Sequence, residues 1–344
     1  MKDKVAVIIT SIHKPSEALQ CVAEGCKREG YQFIVIGDEA SPADFSLEGC
    51  RFYSLQEQLK LGLRFSEICP TGHYARKNIG YLLAIRAGAD MIIDLDDDCI
   101  PYQRFWSPRH RYQKAHTNSG GGWVNIYRYF SEVQIWPRGF PLDRVNDVVD
   151  DFDALPVEEL DCPIQQGLTD GDPDVDAIYR LILPSPQAFR ADRRVTLKNC
   201  SWSPFNSQNT TWWSVAFPLL YLPAYCRFRL TDIWRSFVAQ RIAWANDWGV
   251  LFHESTSRQE RNPHNLMRDF EDELPGYLSN RAICEILSKL QLKTGVEYLT
   301  DNLLKCYQEL VNAGVFDQRE LNLLESWISD LLKQKSYVAH EELG

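Results

Sequence analysis

The sequence predicts an α/β protein with a parallel sheet and helices on its faces, on three observations. Short apolar runs end at charged or glycine-containing turns, segments with helical apolar spacing separate them, and the two kinds alternate through the first third of the chain. "KVAVIIT" lies between a charged lead and "SIHKPS", so it reads as a buried strand. A helix follows over 16–27, with Ser16 as its N-cap and "REG" as its stop. "QFIVIGD" is a second strand and "CRFYSL" a shorter third. From Tyr74 to Ala87 the spacing puts Ile79, Leu82, Leu83 and Ala87 on one helical face, and Gly88 closes the helix. "DMIID" is the fourth strand.

Directly behind that strand stand Asp94, Asp96, Asp97 and Asp98, in "DLDDDC". Open parallel sheets bind ligands at the carboxyl ends of their strands, which is where these side chains fall. Alternation would aim Asp94, Asp96 and Asp98 one way and Asp97 the other, if the chain stays extended. Carboxylates this close repel one another unless a cation intervenes. An oxygen-coordinated Mg²⁺ or Mn²⁺ relieves that repulsion and leaves positions for water and substrate phosphates. The pattern argues against an EF-hand, because its glycine and terminal glutamate are missing at the required spacing.

With 344 residues, 44% hydrophobic and 24% charged, the chain has the composition of a globular protein with a sizeable core. The net charge of −10, with scattered basic residues, argues against nucleic-acid binding. No apolar run is long enough to span a bilayer, and the start carries no secretory pattern. The ten cysteines are dispersed without a C-x-x-C pair, which fits a reducing, cytoplasmic setting. From about Asn280 onward, "NRAICEILSKLQL", "YLTDNLLKCYQELVNAGVF" and "QRELNLLESWISDLLKQ" read as amphipathic helices. The expected division is therefore a catalytic domain over 1–279 and a helical extension over 280–344. The extension packs on that domain or mediates assembly of identical chains.

Arg and Asn at a helix start, a Gly-Ala turn, an apolar strand and then D-x-D resemble the nucleotide-sugar glycosyltransferases of the GT-A fold. Further along, "WPRGFPLDRV", "IQQGLTDGDPDVDAIYRL", "SPFNSQNTTWW" and "RLTDIWRSFVAQRIAW" resemble, in the same order, the plant STELLO glycosyltransferases. More distantly they resemble the reversibly glycosylated polypeptides that act as UDP-arabinopyranose mutases. The resemblance implies a GT-A-type fold: a Rossmann-like mixed sheet with helices on both faces, followed by a C-terminal helical region. It also implies a metal-dependent transferase using a nucleotide-diphosphate sugar, a UDP-sugar by expectation, with a glycan or protein acceptor. A nucleotide-sugar mutase and a catalytically silent scaffold are the alternatives. Asp94 and Asp96 match the STELLO D-x-D, Asp96 and Asp98 match the mutase-like D-D-D, and Asp96 is common to both.

The remaining candidates follow in chain order. Thr10 and Ser11 follow the first strand, where GT-A enzymes place the nucleobase. Arg76, Lys77 and Asn78 open a helix, where cations and free N–H groups suit a diphosphate, and Asn78 could meet the uracil edge. Arg138 matches the arginine that carries sugar in the mutase-like proteins, and its guanidinium also suits phosphate oxygens. Asp174 and Asp176 are expected, from the resemblance, to face the sugar or the acceptor. Asn206, Gln208 and Asn209 combine amides with neighbouring aromatics, the composition of a sugar pocket. Asp232 is the candidate general base or acceptor-binding carboxylate at a helix start, with Thr231 or Asp232 as N-cap and Arg235 one turn on as its partner. His253, with His264 as substitute, is the expected histidine of the metal shell.

Overall fold

The computed structural model describes residues 3–184, 187–260 and 265–341. The chain begins with β1 (Val5–Thr10), α1 (Glu17–Glu29), β2 (Gln32–Ile36) and β3 (Arg51–Tyr53). Short helices α2 (Leu55–Gln58) and α3 (Arg64–Ile68) lead to α4 (Lys77–Arg86) and β4 (Met91–Leu95). Ser16 caps α1 by accepting from the Leu19 amide, and Gly30 ends it at φ 74°, a left-handed conformation that glycine adopts without strain. These elements follow the expected order.

Side-chain alternation on β1 explains why both faces of the sheet are covered. Val5, Val7 and Ile9 share a core with Leu19, Val22 and Cys26 of α1. Ala6 and Ile8 point the other way, into the core that holds Ile79 and Leu82 of α4. At Gly80 the helix approaches so closely that a Cβ would meet Ile8 Cγ2 at 2.5 Å. Residues 77–85 of α4 are buried on every side, because C-terminal helices cover its outer surface. The one-faced reading of this helix was therefore too narrow.

Beyond β4 the chain adds β5 (Cys99–Pro101), β6 (Tyr112–Asn118), β7 (Gly122–Trp123), β8 (Val157–Asp161) and β9 (Ile164–Gly171). Helix α5 (Ala177–Ile182) precedes β10 (Arg194–Leu197), β11 (Ser201–Trp202) and β12 (Asn209–Trp213). Helix α6 (Thr231–Ala245) is followed by β13 (Val250–Gln259), α7 (Leu266–Lys289), α8 (Leu299–Asn312) and α9 (Arg319–Glu341). The main sheet runs β3-β2-β1-β4-β12-β9-β13-β10-β6-β8, with β5 pairing β13 off this path, and β11 and β7 form a separate pair. Pairing is parallel from β3 through β4 and becomes mixed from β12 onward. This is a mixed α/β architecture with a C-terminal helical region, in agreement with a GT-A-like fold.

Residue 280, the expected start of the helical extension, lies inside α7. Asn280 itself is buried: it donates to the Gly139 carbonyl at 2.8 Å and accepts from Trp234 Nε1 at 2.8 Å. Helix α9 is tied down in the same way. Asp330 accepts from the Phe65 amide at 2.8 Å, and Trp327 donates to the Pro218 carbonyl at 3.2 Å.

Glu320, at the start of α9, accepts from the Tyr221 hydroxyl and from the Ala224 and Tyr225 amides at 3.1 and 2.7 Å. Burial nonetheless pushes its carboxyl up to about 7. A folded-state value above the unfolded one stabilises fully below the unfolded pKa, and that stability is lost as pH rises through about 7. Melting temperature should therefore fall between pH 5 and pH 8 less steeply in Glu320→Gln than in the parent chain, by calorimetry.

Candidate active site

A cavity of about 570 Å³ opens where β1, β2 and β4 end. The chain leaves β1 for β2 on one side and β4 on the other, both parallel, so β1 marks a topological switch point. Thr10 to His13, after β1, and Gly37 to Glu39, after β2, line one end. Asp96, Asp97 and Asp98, after β4, line the middle. Arg138, Asp174, Gln208, Asp232 and Gln259 line the other end.

The aspartates divide sharply. Asp94 lies within β4, fully buried, and pairs with Lys77 at 2.6 Å and with Arg235 at 3.0 Å. It is an internal counter-ion and does not line the cavity. β4 ends at Leu95 and a turn follows, so the expected alternation of Asp94, Asp96 and Asp98 does not persist. Asp96 accepts from the Tyr74 hydroxyl at 2.8 Å, with Lys77 Nζ at 3.5 Å. Burial, then the Asp98 and Asp94 charges, push its carboxyl up to about 7 against Lys77 and Tyr74. Asp98 takes both bonds from Gln259 Nε2, each at 2.9 Å. Asp97 is held by the Ser11 hydroxyl, and its carbonyl accepts from Ser16 at 3.0 Å. Ser11 thus shapes the turn and, with Thr10, lines the cavity.

At the far end Arg138 is buried between two acids. It donates to Asp174 at 2.7 and 2.9 Å and to Asp232 at 2.9 and 3.1 Å. Burial would lower its pKa, but the two carboxylates outweigh burial and raise it well above the usual guanidinium value. The same pairing acts on Asp232, where burial favours protonation yet Arg138 holds the carboxyl below its usual range. Asp232 is thus held as an ion-paired carboxylate by Arg138. Ser207 donates to Asp232 through its amide at 3.2 Å, and Asn206 Nδ2 donates to Asp174 at 2.8 Å. Gln208 faces the cavity and donates to Gln259 Oε1 at 2.7 Å.

Several expected contacts prove to be structural. Lys77 is fully buried against Asp94 and does not line the cavity. Arg76 does line it, but its guanidinium donates to Gln58 Oε1 at 2.8 Å and the Cys69 carbonyl at 2.9 Å. Asn78 donates to the Leu222 carbonyl at 2.8 Å and accepts from the Leu222 amide at 2.9 Å, so it pins a loop. Asn209 is buried against Leu168 and Thr256. Asp176 caps α5 and accepts from Trp136 Nε1 at 2.7 Å, away from the cavity. Arg235 pairs with Asp94 rather than Asp232. The N-cap of α6 is Leu230, with neither Thr231 nor Asp232 capping by its side chain. His253 lies six residues before the cavity-lining Gln259 along β13, a strand distance of roughly 20 Å at ~3.3 Å per residue. Burial lowers its pKa to about 4, and it cannot share an ion with Asp96 and Asp98. His264 lies outside the described residues.

These corrections can be checked at Asn78. Asn78→Ala should lower stability by about 1–3 kcal/mol, through two orphaned backbone groups. Nucleotide affinity should stay unchanged, as read by denaturant unfolding and a binding titration.

Sequence reasoning missed His13, Asp38, His73, Tyr74, Phe228 and Gln259 in the cavity wall. Asp38 ends "QFIVIGD", so its strand-end position was a usable signal. Tyr74 and Gln259 offered none, because their importance rests on reaching Asp96 and Asp98 across the fold.

Among the described residues no group of three or more His, Cys, Asp or Glu could hold a metal ion alone. Asp96 and Asp98 fit the sparser arrangement, in which two carboxylates bind a divalent ion whose shell water and substrate phosphates complete. The elevated Asp96 pKa fits too: burial is its main cause, with the Asp98 and Asp94 charges adding to it, and a cation would favour the ionised form.

A family profile described as STELLO glycosyltransferases matches residues 229–340. Two curated relatives, "Probable glycosyltransferase STELLO2" and "Probable glycosyltransferase STELLO1" of Arabidopsis thaliana, are each 28% identical over 351 residues. The match covers 94% of this chain and 44% of each relative, so the chain spans less than half the length of the curated relatives it matches. A solved mycobacterial protein gives a TM-score of 0.41 at 12% identity, covering 81% of this chain and 74% of that chain, a likeness that settles neither fold nor function.

Proposed function

We propose that this STELLO-like chain is of glycosyltransferase type and that its cavity binds a nucleotide-diphosphate sugar, UDP-linked, with a divalent cation. The observation that carries this reading is Asp96 and Asp98 opening on one cavity at the end of β4, beside the chain that leaves β1 and β2. Thr10, His13 and Asp38 stand at the nucleoside end, and Asp174, Asp232, Gln208 and Gln259 at the sugar end. Asp96 and Asp98 would hold Mn²⁺ or Mg²⁺, which supplies charge neutralisation for a departing diphosphate.

The chain's own groups then do three things. Tyr74 and Gln259 hold the two carboxylates in place through their hydrogen bonds. Arg138 fixes Asp174 and Asp232 as a rigid pair of acceptors for sugar or acceptor hydroxyls. Asn206 donates to Asp174 and Ser207 to Asp232, so the ring of polar groups is preorganised. Covalent sugar attachment at Arg138 is disfavoured, because a guanidinium kept protonated by two carboxylates has no lone pair to offer. Transfer to a glycan or protein acceptor is therefore preferred over the mutase.

Incubation with Mn²⁺ and a panel of UDP-sugars tests the reading. Release of UDP without ring-isomer products is the expected result. Ring isomers alone would establish the mutase, and no turnover together with no nucleotide-dependent shift in melting temperature would establish the scaffold.

A further inference from the structure

We infer that the sugar carried by the donor is uncharged, and that the cavity discriminates against uronic acids. This inference rests on the reading of the cavity as a nucleotide-sugar site. It comes from the part of that cavity around Arg138 and Arg229, where both guanidinium groups are already paired with carboxylates.

Three arginines line the cavity: Arg76, whose guanidinium is buried against Gln58 and the Cys69 carbonyl, and Arg138 and Arg229, which are paired with carboxylates. Arg138 spends Nε and Nη2 on Asp174 and Asp232, and Nη1 donates to the Arg229 carbonyl. Arg229 donates through Nε and Nη2 to Glu273 at 2.8 and 2.6 Å. Glu273 is buried and also accepts from the Ala177 amide at 2.8 Å and the Tyr277 hydroxyl at 2.6 Å, so it is not free to release Arg229. What remains for a ligand is acceptor-rich: Asp174 and Asp232, with the amides of Gln208 and Gln259.

Such a lining suits hydroxyl groups, which donate to carboxylates and amide oxygens. A carboxylate at C6 would instead face Asp174 and Asp232 with no described cation left to receive it. Like charges set together in a desolvated pocket are a strong form of rejection. The discrimination therefore comes from pairing inside the protein.

The test is a set of calorimetric titrations with Mn²⁺, using UDP, UDP-glucose, UDP-galactose, UDP-glucuronate and UDP-galacturonate. UDP should bind, and each uronate should bind at least about ten-fold more weakly than its neutral partner. A uronate that binds as tightly as its neutral partner overturns the inference while leaving the nucleotide site intact. If UDP itself fails to bind, the site reading falls and the inference with it. Asp174→Asn supplies a second readout, because it frees part of the Arg138 fork. In that variant the ratio of uronate to neutral affinity should rise by about ten-fold. A folded Asp174→Asn protein with an unchanged ratio counts against the inference, and should the variant fail to fold, the parent series still decides.

Discussion

Asp96→Asn should lower turnover by roughly 10²- to 10³-fold, the range for losing one electrostatic group aimed at developing charge. The same variant should be at least as stable as the parent at pH 8. Asp96 sits above its unfolded pKa, at about 7, so its stability contribution is present below the unfolded value and lost as pH rises through about 7. At pH 8 the ionised side chain is a burden that the amide removes. The Tyr74 hydroxyl can still donate to the amide oxygen, and Lys77 keeps its ion pair with Asp94. Activity lost while the melting temperature holds or rises is the mark of a residue kept for function. Turnover assays beside calorimetry at pH 8 check it, and a fully active variant would remove Asp96 from the site.

Arg138→Met should produce the largest loss of stability, about 3–5 kcal/mol, because it leaves two buried carboxylates without their cation. Asp174 and Asp232 are each held by that guanidinium, at 2.7 and 2.9 Å. Adding Asp232→Asn to Arg138→Met should recover part of the loss, since one uncompensated charge disappears. Denaturant unfolding of the two single variants and the double variant measures the coupling. Strict additivity would show that the pairing contributes little. Arg138→Lys keeps a charge but not the planar fork, and should fall between parent and Met.

Much of the fold was legible where local signals agreed. "VAVIIT", "QFIVI" and "MIIDL" are short apolar runs between breakers, and they form β1, β2 and β4. Ser16 and Gly30 bracket α1 because a cap and a left-handed stop are chemical properties of single residues. The end of the fourth strand, where Asp96, Asp97 and Asp98 line the cavity, was legible for the same reason. What could not be read were long-range pairings. Asp94 and Asp96 look alike in the sequence, and they differ because Arg235, 141 positions away, folds back onto the first. Arg138 looked free to clamp phosphate until Asp174 and Asp232 closed around it. Asn280 looked like the start of an appended bundle, yet it lies within α7 and holds the Arg138 loop through Gly139. His253 was expected in the metal shell, yet it lies within β13, six residues before Gln259.

Titration of the intact chain with UDP, in Mn²⁺ and again in EDTA, tests the central claim most directly. Binding should be at least about ten-fold tighter with Mn²⁺, and Asp96→Asn should lose that gain. Equal affinity in both solutions, or no binding in either, would contradict it.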